Sequence, residues 1–96
     1  MLKMQGGIKM AKPVKMMVLD TCPYCRQAFQ FMDELKAEHP EYKNVQIEVI
    51  EESKEPEKIK GYDYWYVPTF FVGSDKIMEG VPTKGKVQQV FIHALN

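Results

Sequence analysis

Cysteine is scarce in this chain: its 96 residues hold two, Cys22 and Cys25. Two are too few for the disulfide frameworks of small secreted domains. A bridge between such close neighbours also closes too small a loop to constrain the unfolded chain much. A structural staple is a poor reading, and the pair needs another reason. Charge of one sign is missing as well, since 13 Lys and Arg face 13 Asp and Glu. That balance offers no basic excess for the counterion-releasing phosphate contacts of nucleic-acid binding, so nucleic acid is not an expected partner. Nor does the opening stretch MLKMQGGIKMAKPVKMMVLD contain an apolar run long enough for a signal peptide or a membrane span. No membrane partner is expected, and a cytoplasmic monomer is the default reading.

What is present is the make-up of a folded protein, 45% hydrophobic and 27% charged, with polar residues interspersed among apolar runs. A chain of this length suits one domain around one core. Residues 1–12 show no period and carry Gly6 and Gly7, so they read as a flexible extension to a domain over 13–96.

Val14 to Leu19 is a short apolar run fit for a buried strand, and Asp20 and Thr21 stop it. Pro23 suits a first helical position, and Ala28, Phe31, Met32 and Leu35 recur at helical spacing, which predicts a helix over 23–38. Past His39-Pro40, the alternation of Val45, Ile47 and Val49 predicts a second strand. The charged run 51–60, with Ser53 as a cap and Pro56 in its first turn, predicts a short helix ending near Gly61. Val67 to Val72, the turn Gly73-Ser74-Asp75 and Lys76 to Met78 predict a hairpin. Thr83 then caps a last helix whose apolar positions are Val87, Val90, Phe91 and Leu95. The order β-α-β-α-β-β-α implies a parallel first pair of strands and an antiparallel last pair. The expected fold is α/β, a mixed four-stranded sheet with helices on both faces.

Cys22-Pro23-Tyr24-Cys25 stands where the first strand gives way to the first helix. Free amides and the positive dipole end of a helix stabilise an anion, so a cysteine there ionises more readily than a free thiol. Cys22 is the expected nucleophile. Cys25, one turn further on and directed inward, is the expected resolving thiol. Pro23 restricts the turn and Tyr24 sets an aromatic, hydroxyl-bearing surface beside the reacting sulfur. Arg26 adds positive charge to the same turn, and Asp20 opposes ionisation if it points the same way.

CPYC after a first strand, with VPT before a third, resembles the glutaredoxin branch of the thioredoxin superfamily over residues 14–95. The resemblance implies a thioredoxin fold and a disulfide oxidoreductase with no bound cofactor and with glutathione as a possible electron donor. It also implies a cis peptide bond before Pro68 and a substrate ledge formed by Val67, Pro68 and Thr69, where the Val67 backbone pairs with an extended substrate. Two features depart from that branch. Met78-Glu79-Gly80-Val81-Pro82-Thr83 replaces the Gly-Gly and acidic turn that usually grips glutathione, and Gly80 to Leu95 looks more like thioredoxin. The implied substrates are disulfide-containing proteins or low-molecular-weight thiol adducts, and the reductant is glutathione or thioredoxin reductase.

Other readings of the same residues are simpler chemically but fit less well. A tetrahedral zinc site needs four ligands, and beyond the two cysteines only His39 and His93 are obvious candidates; no metal is assigned. A functional alternative is an iron–sulfur cluster or metal shared by Cys22 of two chains with external thiols, against which the second cysteine argues. Proline in a strand is ordinarily an edge marker, and Pro68 gains meaning from the dithiol upstream. Tyr62, Tyr64, Trp65 and Tyr66 serve equally as a binding platform or as core cover, with Tyr64 and Trp65 the surface candidates. His39 and His93 read as helix-end residues, and the methionines as gap fillers.

Overall fold

Alternation along the first strand decides the layers of the molecule. The computed structural model describes residues 11–96, and the part of the expected extension before residue 11 lies outside the described residues. Strand β1 (Val14–Val18) points Val14, Met16 and Val18 to one face of the sheet and Met17 to the other. It is followed by helix α1 (Pro23–Glu38), strand β2 (Ile47–Glu51), the hairpin β3 (Thr69–Val72) and β4 (Asp75–Glu79), and helix α2 (Lys84–Leu95). The four strands lie in the order β2-β1-β3-β4, with β1 parallel to β2 and antiparallel to β3. This is the mixed four-stranded α/β sheet of a thioredoxin fold, and β1 runs through its middle.

The larger core lies on the face where Val14, Met16, Phe70, Val72 and Met78 meet Ala28, Met32 and Leu35 of α1 and Val87, Val90, Phe91 and Ala94 of α2. Both long helices therefore cover the same face, joined at their edge by Lys84, whose Nζ lies 3.3 Å from Glu34 and also reaches Glu38. The helix expected over the charged run is absent. In its place a strand end, a turn and one 3-10 turn (Pro56–Ile59) lead into an irregular segment. The physical cause is local: Glu55, placed before a proline, takes a non-helical backbone (φ −130°, ψ 57°), and the run has no apolar period to bury. Ile59, Tyr62, Tyr64 and Val67 of this stretch cover the second face, over Met17, Ile50 and Phe71. The expectation of helices on both faces is thus corrected to helices on one face and a draped segment on the other.

The Lys12 amide donates to the Ala94 carbonyl (2.8 Å), and Ala11 packs against the core. Among the described residues no helix is long and apolar enough to cross a membrane.

Candidate active site

Because β1 is central, its C-terminal end delivers the chain to the middle of the sheet's edge. There the Cys22 amide donates to the Leu19 carbonyl (3.1 Å), closing a tight turn that sets Cys22 at the cap of α1. Two carboxylates shape this turn. Glu51, at the end of the neighbouring parallel strand, accepts the Asp20 amide at 2.9 Å and both the amide and the hydroxyl of Ser53, at 2.7 and 2.6 Å. These donors, Ser53 foremost, hold the Glu51 carboxyl down to about 2. The Asp20 carboxylate pairs with Lys54 Nζ at 2.6 Å, so its charge is partnered across the turn.

Cys22 has an extended backbone (φ −88°, ψ 113°), and its Sγ accepts the Cys25 amide at 3.2 Å. A sulfur therefore does at this helix start what a serine or aspartate oxygen usually does, with Pro23 at a position where no amide is needed. The same Sγ lies 3.7 Å from the Val67 carbonyl oxygen, toward which its S–H is directed. Cys22 is half-buried, Pro23 and Arg26 are exposed, and Tyr24 is 44% exposed beside them. Cys25 is 2% exposed and belongs to the core. Burial first, then its bond to Cys22 and the nearby negative charges, push the Cys25 thiol up to about 12.

Opposite the dithiol, the Val67–Pro68 peptide is cis, Pro68 and Thr69 are buried, and Val67 is half-buried. Thr69 Oγ1 donates to the Tyr66 carbonyl, and the Gly80 amide donates to the Pro68 carbonyl at 2.9 Å. Gly80 adopts φ +87°, a left-handed conformation that favours glycine and lets the chain leave β4 beside Tyr66. The structure thus brings Cys22, Cys25 and Val67 together, with Pro23 and Tyr24 in the intervening turn and Pro68 and Thr69 following Val67.

The aromatic cluster divides differently from the sequence expectation. Trp65 and Tyr66 are 85% and 70% exposed, whereas Tyr64 is half-buried, edge-on to Phe71 at 6.3 Å, with its hydroxyl donating to Glu52 Oε1 at 2.9 Å. Burial and the Glu52 carboxylate both raise the Tyr64 hydroxyl pKa. Tyr66 therefore replaces Tyr64 as a surface residue, because the segment turns over just before the ledge. Sequence reasoning also missed Glu51, Glu52 and Glu79 as partners of this region, and only folding reveals which backbone each reaches. His39 caps the end of α1 and lies over Tyr42 at 4.7 Å, away from the thiols. Among the described residues no three His, Cys, Asp or Glu side chains converge as a metal site.

A sequence profile of the thioredoxin domain family matches residues 12–92, and the chain belongs to that family. A thioredoxin of Methanocaldococcus jannaschii is 33% identical over 63 residues, which make up 66% of this chain and 72% of that protein. Family and relative together support a general thiol–disulfide oxidoreductase role.

Proposed function

We propose that the chain reduces disulfides of proteins by a dithiol mechanism, with Cys22 as nucleophile, Cys25 as resolving thiol and a protein dithiol as electron donor. The observation that carries this reading is the seat of Cys22 Sγ, between the Cys25 amide at 3.2 Å and the Val67 carbonyl at 3.7 Å. One neighbour serves the sulfur as a hydrogen-bond donor. The other belongs to a backbone edge on which an extended segment can pair.

Cys22 thiolate attacks one sulfur of a substrate disulfide, the S–S bond breaks, and the departing thiolate takes a proton from water. A mixed disulfide to Cys22 remains. Cys25 then loses its proton to solvent and attacks the Cys22 sulfur, which releases the second substrate thiolate and leaves a Cys22–Cys25 disulfide. Two electrons have passed to the substrate. The order of events follows from the surroundings of Cys25. Burial does most to hold its proton on and persists, whereas the added hold from its bond to Cys22 and from the charge of Cys22 is relieved once Cys22 is tied up in the mixed disulfide.

Glutathione is a poor fit as donor or as adduct. A small charged tripeptide needs several placed groups to hold it. Here the Glu79 carboxylate is already engaged by Lys76 and by the Trp65 and Tyr66 amides, while Pro82 has no amide to offer. The active-site tetrapeptide resembles that of glutaredoxins, and the segment Gly80 to Leu95 resembles thioredoxin. Against the alternative of a cluster or metal shared at Cys22 stands the second cysteine, Cys25, one helical turn away.

The test is a coupled assay with insulin as substrate, the oxidised chain being regenerated either by a flavin-dependent thioredoxin reductase or by glutathione with glutathione reductase. Turnover with the first and little with the second is expected. Efficient, saturable turnover with glutathione would reverse the donor assignment. Absence of insulin reduction even by the dithiothreitol-reduced chain would sink the function.

A further inference from the structure

Glu79, the last residue of β4, spends both carboxylate oxygens on the segment that leads to the ledge. Its Oε2 accepts the Trp65 amide and, at 2.9 Å, the Tyr66 amide. Its Oε1 lies 2.7 Å from Lys76 Nζ, which also donates to the Asp63 carbonyl at 3.2 Å. Residues 63, 65 and 66 are thus tied by their backbone to one strand edge. Gly80, the residue that follows β4, donates its amide to the Pro68 carbonyl at 2.9 Å. The side chains of Trp65 and Tyr66, by contrast, stay 85% and 70% exposed. A pinned backbone carrying two free aromatic rings, one residue before the carbonyl that faces Cys22, is hard to explain as core cover.

We infer that Glu79 is a positioning residue for the reaction at Cys22, fixing Trp65 and Tyr66 so that their rings and the Val67 backbone edge meet an oxidised protein as one preformed surface. The inference rests on the disulfide-reduction reading above and adds to it the group that makes protein substrates favoured over small ones. Prior fixation of the segment removes an ordering cost that each binding event would otherwise carry. A small disulfide, which needs only the sulfur of Cys22, gains nothing from it. The Glu79 carboxyl is held down to about 2, by Lys76 first and then by the two amides, so the tie is fully formed at neutral pH.

Glu79→Ala and the milder Glu79→Gln, which keeps one carbonyl oxygen, test this. Insulin and a small aromatic disulfide serve as substrates, iodoacetamide reports on Cys22, and fluorescence anisotropy reports on Trp65, the one tryptophan of the chain. In Glu79→Ala, KM for insulin rises about tenfold with kcat nearly unchanged. The small-disulfide and iodoacetamide rates stay at wild type, and Trp65 anisotropy falls. Glu79→Gln lies between. An unchanged anisotropy, or insulin and small-disulfide rates falling in the same proportion, overturns the role of Glu79. A wild-type chain that reduces neither substrate overturns the exchange reading instead, and the two failures are read on separate signals.

Discussion

The carbonyl oxygen of Val67 lies 3.7 Å from the sulfur of Cys22, although 45 positions separate them in the chain. The two meet because antiparallel pairing sets the start of β3 beside the C-terminal end of β1. Cys22 follows that strand, and Val67 precedes the antiparallel neighbour β3. The two thiols are unequal: Cys22 faces the Val67 carbonyl, whereas Cys25 is buried in the core.

Cys22→Ser should abolish insulin reduction, whereas Cys25→Ser should keep the first attack and accumulate a mixed disulfide with the substrate, visible by intact mass spectrometry. Both variants losing the first attack equally would show the roles to be misassigned.

Burial of Cys25 gives a pH dependence in the alkaline range. The folded chain holds the Cys25 proton up to about 12, against 9.0 for an unperturbed thiol, so over that window the folded state binds more protons than the unfolded one. Stability of the reduced chain should be unaffected by this group below that window and fall as pH rises through it. Urea unfolding of the reduced chain on either side of pH 9.0 should show the fall, and Cys25→Ala should lessen it.

Acid should act through Glu51 and Glu79 with the opposite sign. Both carboxyls are held down to about 2 in the folded chain against 4.5 unperturbed, so their contribution is present above 4.5 and lost as pH falls toward about 2. Glu51→Gln should flatten the decline of the urea midpoint between about pH 6 and about pH 3. A decline as steep as in wild type would show that the Asp20 and Ser53 bonds carry no weight.

Thr83 Oγ1 accepts the Lys86 amide at 3.1 Å at the start of α2. Thr83→Ala should cost about 1 kcal/mol of unfolding free energy in urea titration, because an orphan amide at the helix start loses its acceptor. Insulin reduction at low denaturant should stay at wild type, since the Thr83 cap bonds the Lys86 amide and takes no part in the bonds that seat Cys22 between the Cys25 amide and the Val67 carbonyl.

Sequence alone determined most of what is local. Helix α1 runs from Pro23 to Glu38 as its apolar spacing and the flanking Cys22 and His39-Pro40 require, and Thr83 caps α2 as its hydroxyl permits. The dithiol at a strand-to-helix junction is a local fact too, and with Val67-Pro68-Thr69 before the third strand it points to the superfamily. Tertiary structure alone decided the rest. Pro56 and the lack of an apolar stripe already weaken a helix over 51–60, but only packing decides that Ile59, with Tyr62 and Tyr64 after the run, covers Met17, Ile50 and Phe71. Which of four neighbouring aromatics face solvent depended on the turn before Val67, and Tyr64, expected outside, found Phe71 and Glu52. Glu51, Glu52 and Glu79 look alike as letters among many acidic residues. Each takes its part from the backbone or hydroxyl it meets across the fold, and a carboxylate's partner is set by proximity in space, which composition and periodicity do not encode.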